Sequence, residues 1–173
     1  MKIDVLSRGK KKKFVEGLSE LGMSKIPQML VRSGKERIRA FSGDLTREEI
    51  MDIWHLLPIE GVGLYVGKDM MNRNGVHEIR LSLDGMHTWK EQLTGRILDL
   101  DSEAPNGHDP AGPQEKEWFL GRDIELNEGQ KMDKGFVSVR AGEDFVGVGK
   151  VNADGDTLFG FLPKERRRKE RMN

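Results

Sequence analysis

The 173-residue sequence predicts an α+β protein in which a small N-terminal α/β domain is followed by a C-terminal β-barrel. Three observations lead there. Apolar residues recur at helical spacing in several segments of the first half and alternate with polar ones in others. From Gly135 onward, short apolar runs are separated by evenly placed turn residues, the pattern of a small barrel. Ahead of them, residues 106–114 read NGHDPAGPQ, a loop rich in glycine and proline. These signals divide the chain into a basic tail at 1–13, an α/β domain at 14–95, a barrel at 96–167 with a loop at 102–117, and a basic tail at 168–173.

Taken in order, Phe14, Val15, Leu18 and Leu21 mark a short helix with Gly22 as its C-cap. Strands follow at 27–31 and 37–41, around the Ser33-Gly34 turn. Thr46 ahead of Glu48 and Glu49 starts a helix with Ile50, Ile53, Trp54 and Leu57 on one stripe, and Pro58 ends it. The apolar, glycine-rich 59–68 and the alternating 77–83 read as two strands. A helix from Asp84 to about Gly95 then turns Met86, Trp89 and Leu93 inward. Residues 118–120 close a further short helix, and strands are expected at 135–140, 145–151 and 157–162.

Composition narrows the function. Twenty-nine basic and twenty-nine acidic side chains cancel, so no global field selects an anionic or cationic partner. Charge is nevertheless uneven. Five of the six residues at 8–13 and six of the eight at 164–171 are basic, while 99–133 holds ten acids against three bases. Such end runs are either solvated or in contact with nucleic-acid phosphates. Absence of cysteine excludes disulfides, thiolate metal sites and a cysteine nucleophile. No apolar run approaches the roughly 20 residues of a membrane span, and residues 1–9 do not resemble a signal peptide, so the expected compartment is the cytoplasm, with no membrane partner.

Motifs for small-molecule chemistry fail on inspection. His55, His77, His87 and His108 lack metal-ligand spacing. Gly61, Gly63 and Gly67 form GxGxxxG inside an expected strand, where a dinucleotide fingerprint needs a strand-to-helix turn. Val151 follows Lys150 where a phosphate loop needs serine or threonine. Asn152, Asp154 and Asp156 open like a calcium loop, but Thr157 stands at the sixth position and no glutamate closes it, so a hairpin turn is expected. The expectation is a chain with no catalytic residue, metal or cofactor.

The run Gly135-Phe136-Val137-Ser138-Val139-Arg140, then Phe145-Val146-Gly147-Val148-Gly149-Lys150, then Leu162-Pro163-Lys164 with Arg166 and Arg167, resembles the PUA-like RNA-binding module of Nop/Sun-type RNA cytosine-5 methyltransferases. There GxVxV and LGxGK strands precede a closing LPKxxR segment, and Leu120-Gly121-Arg122-Asp123-Ile124 is similar to the module's LxGxDI element. Val146 stands where the module has leucine. The resemblance covers about 96–167. Residues 57–67 and 79–83 are similar to the α/β domain that precedes the PUA domain in those enzymes and in small archaeal ribosome-assembly proteins. It implies an N-terminal small α/β domain and a C-terminal PUA-like β-barrel without the methyltransferase domain. The implied function is non-catalytic binding of rRNA or tRNA in modification, processing or ribosome assembly, with an RNA methyltransferase or ribosome-assembly factor as protein partner. The alternative is a protein-interaction subunit in which the barrel or the acidic segment docks on a basic or RNA-modifying enzyme while the basic ends stay solvated.

On this resemblance the RNA-binding residues are Arg140, Gly147, Gly149, Lys150, Lys164, Arg166 and Arg167. Gly147 and Gly149 let an RNA backbone approach closely, mark a bend or bulge in the barrel, or do both. Arg140 joins the cations or points away from them. Four phosphate contacts, from Lys150, Lys164, Arg166 and Arg167, imply a salt slope of roughly −3. Aromatic content of only 6% favours a reader of backbone and shape over a stacking platform.

Overall fold

A computed structural model of the chain describes residues 2–101 and 112–169. It is a mixed α+β structure with two five-stranded sheets and, among the described residues, four α-helices. The chain divides into two compact units, Met1–Gln92 and Leu93–Asn173.

In the first unit the strands β1 (Ile3–Val5), β2 (Met29–Ser33), β3 (Arg37–Phe41), β4 (Leu64–Met71) and β5 (His77–Leu81) run in sequence order, each antiparallel to the next. This meander departs from the parallel sheet that an α/β label implies: the β2–β3 and β4–β5 links are too short for a parallel crossover, and the longer helix-bearing links β1–β2 and β3–β4 also join antiparallel strands. The basic tail expected at 1–13 is also corrected. It holds β1 and most of α1 (Arg8–Glu16). Ile3, Val5 and Leu6 bury their side chains, Ser7 caps the helix by accepting from the Lys10 amide, and Phe14 enters the core. Charge in α1 hides an ordered element because its apolar anchors sit at the two ends of the basic run.

Gly22 caps a 3-10 turn at Ser19–Leu21 rather than α1 itself. Helix α2 (Arg47–Leu56) begins in a full capping box, with Thr46 and Glu49 exchanging side-chain and backbone bonds, and stops before Pro58. Ile50 packs with Ile3, Val5 and Val31 in one core, flanked by Trp54. The expected third helix is shorter, α3 (Leu83–Thr88), and a 3-10 turn at Lys90–Gln92 follows it. Met86, Trp89 and Leu93 are buried as the periodicity predicts.

The second sheet curls into a half-barrel in the order β6 (Ile97–Asp99), β8 (Gly135–Ala141), β9 (Asp144–Val151), β10 (Thr157–Gly160) and β7 (Ile124–Glu125). Only β6 runs parallel to its neighbour. Helix α4 (Pro113–Leu120) replaces the end of the loop expected at 102–117, with Pro113 at its first turn and Gly121 closing it in the left-handed region at φ +76°. Residues 102–111 of that loop lie outside the described residues. Trp118, 1% exposed, forms the half-barrel core with residues including Val137, Val139, Val151 and Leu158. The turn at 152–156 is a hairpin in which the Asn152 side-chain oxygen accepts from the Asp156 and Thr157 amides.

Candidate nucleic-acid interface

Across the half-barrel, Phe136 on β8 pairs with Lys150 on β9, which pairs in turn with Phe159 on β10. Opposed residues project to the same side of a sheet. Their neighbours Val137, Val151 and Leu158 face the core, so this row lies on the side turned away from it. The Lys150 ammonium sits over the Phe136 ring, 5.0 Å from its centroid. Phe161 tilts against Phe136 at 6.0 Å and 58°. Among the described residues, Phe159 and Phe161, 40% and 36% exposed, are the two aromatic side chains that stand with the exposed large apolar residues.

A one-residue irregularity makes this row. The β8–β9 hairpin starts with Ala141 opposite Asp144 and Arg140 opposite Phe145, but Val139 then faces Gly147, so Val146 is an extra, unpaired residue. Without that bulge Phe136 would face Gly149. Gly147 takes φ +147°, and a Cβ there would stand 2.8 Å from the Trp118 ring, whose indole N–H donates to the Val146 carbonyl at 3.2 Å. The bulge is thus seated on the core tryptophan.

The seven residues marked by the sequence fall into three groups. Lys150 is in the row. Lys164 and Arg166 are exposed on a 3-10 turn, Lys164–Arg166. Lys164 follows Phe161 by three residues, within about 11 Å along an extended chain. The others are engaged elsewhere. Arg140 holds Asp99 through two bonds, of 2.6 and 3.0 Å, and this partner raises its pKa further above the usual range. Arg167 donates to the Leu162 carbonyl at 3.0 Å and lies against Gly121. Gly147 and Gly149 turn toward Trp118 and Leu158, where a Cβ would crowd both side chains. The bulge beside Gly147 fits the barrel-bend reading for that glycine, and Gly149 is a close packing contact on Leu158.

Arg168, expected in a basic tail, is also anchored. Its amide donates to the Phe119 carbonyl at 2.7 Å and its guanidinium lies 4.9 Å from the Phe119 ring. Residues 170–173 of that tail lie outside the described residues. Sequence reasoning missed Phe136, Phe159 and Phe161 as a group, since a low aromatic count says nothing about clustering. The usable signal was the hairpin turn at 152–156, which sets Lys150 opposite Phe159.

No family model matches the chain, and no curated protein matches it.

Proposed function

We propose that the chain is a non-catalytic RNA-binding protein of the cytoplasm, built from an N-terminal domain and a PUA-like half-barrel, that acts on rRNA or tRNA in modification, processing or ribosome assembly. The observation that carries this is the Phe136–Lys150–Phe159 row with Phe161 beside it. Exposed rings offer faces on which unpaired bases stack, and a cation between them meets the phosphate that links two such bases. Lys164 and Arg166 extend the cationic side along the chain.

This moves the RNA contact from shape reading alone toward single-stranded or looped RNA. It also weakens the alternative of docking through acids on a basic enzyme. Several carboxylates of the acidic segment are already occupied, Asp99 by Arg140, Glu117 by Arg122 and Glu128 by Lys131.

The test is fluorescence anisotropy with a labelled single-stranded RNA of about 12 nucleotides, and with a transfer RNA, over a salt series. Binding at low salt that Phe159→Ala and Lys150→Gln each weaken supports the proposal. Absence of binding at low salt, or binding indifferent to both substitutions, overturns it.

A further inference from the structure

The N-terminal unit carries a groove of about 740 Å³ that the RNA proposal does not use. Its floor is aliphatic. Leu6, Ile26 and Leu30 are buried there, and Val15 and Met29 are half-buried above them. Around the floor stand five cations, Arg8, Lys11, Lys12, Lys25 and Arg47, and a single carboxylate, Glu16. Glu16 lies 3.7 Å from Lys12, and the Lys11 ammonium donates to the Gln28 carbonyl at 2.8 Å. Among the described residues Arg8, Lys25 and Arg47 have no carboxylate partner.

A second observation comes from α1. Arg8 opens the helix, Lys10 and Lys11 follow, and no acid stands in the first turn. Cations at the positive end of a helix dipole oppose helix formation, and a local conflict of this kind marks a site kept for something other than stability. Burial holds the Lys11 ammonium below its ordinary range.

We propose that this groove binds an acidic, aliphatic segment of a partner protein, with Asp and Glu carboxylates on the cationic rim and Leu, Ile or Val side chains on the floor. Charge complementarity selects the acid. The floor selects the rest. No aromatic side chain lines the groove, so an unpaired base has no ring to stack on, whereas branched aliphatic side chains fit an aliphatic surface.

The experiment is fluorescence anisotropy of the full chain at low salt with three labelled probes. One is a peptide of glutamate pairs alternating with leucines, the second is the same peptide with serine for leucine, and the third is an oligouridylate. Expected is binding of the leucine peptide that falls about tenfold or more in Arg8→Glu/Lys25→Glu/Arg47→Glu, and about tenfold for the serine peptide. Lys150→Gln leaves it unchanged, which separates this site from the RNA face.

Three outcomes overturn the proposal: no peptide binding, equal binding of the two peptides, or a triple reversal that weakens oligouridylate while sparing the peptide. Should circular dichroism show the triple variant unfolded, the single changes Arg8→Gln, Lys25→Gln and Arg47→Gln are measured instead, each expected to weaken the leucine peptide by about two- to threefold. Indifference to all three single changes overturns the proposal equally.

Discussion

Phe159→Ala and Lys150→Gln should weaken RNA binding in two distinguishable ways. Stacking of a base on a ring is worth about 1–3 kcal/mol and has little dependence on salt. Removing the exposed Phe159 ring should therefore cost about 5- to 150-fold in affinity at every salt concentration. Phosphate contacts to single strands each contribute about −0.7 to the log-log salt slope. Arg167 donates to the Leu162 carbonyl, and the proposed phosphate contacts are Lys150 in the row with Lys164 and Arg166 on the exposed turn. Their combined slope is about −2.1, an affinity loss of about 20-fold between 50 and 200 mM salt. Lys150→Gln should bring the slope to about −1.4 and that loss to about sevenfold. The assay is anisotropy at four or five salt concentrations with both variants. A slope change in Phe159→Ala, or an unchanged slope in Lys150→Gln, would refute the division of labour within the row.

Other outcomes follow from the same geometry. Gly147→Ala places a Cβ 2.8 Å from the Trp118 ring at a backbone angle that L-residues avoid, and should destabilise the fold by about 2–3 kcal/mol in urea unfolding; a loss below about 0.5 kcal/mol would show that the bulge relaxes freely. Arg140→Ala should leave the RNA salt slope unchanged, because its guanidinium is committed to Asp99, and should alter stability by under about 1 kcal/mol, the pair being exposed. Glu49 is lowered by the Thr46 amide and then its hydroxyl, and Asp156 by the Asn152 amide and then the Thr157 hydroxyl. Their folded-state pKa values lie below the unfolded ones, so this stability is present above about pH 4 and lost as pH falls through the folded values. Glu49→Gln and Asp156→Asn should accordingly lie below wild type in stability at neutral pH and converge with it under acid unfolding.

Much of the fold was legible because local chemistry and tertiary structure agree. Thr46 and Glu49 announce α2, and the turn at 152–156 announces its hairpin. The failures have specific causes. Residues 8–13 look like a solvated tail because basic side chains dominate them, while the anchors Leu6 and Phe14 stand just outside. The first sheet reads as α/β because helices interrupt its strands, yet the helix-bearing links β1–β2 and β3–β4 pair antiparallel just as the short β2–β3 and β4–β5 links do. Of the marked site residues, Lys150 lands in the row, but nothing local told Arg140 from Lys150: one faces Asp99 and the other faces rings. Trp118 gives no local sign that it belongs to the core, because the residues it packs against lie on strands far along the chain.

Val146 also poses a choice of frame to the folding chain. The same turn is compatible with an uninterrupted hairpin in which each residue of β9 beyond Phe145 slides by one partner. Lys150 would then point into the core and Val151, now fully buried, into solvent. In the observed alignment the Trp118 indole N–H donates to the carbonyl of the bulged Val146, which ties the extra residue to the core. The core tryptophan on α4 thus helps to hold the hairpin in the frame that its apolar pattern selects.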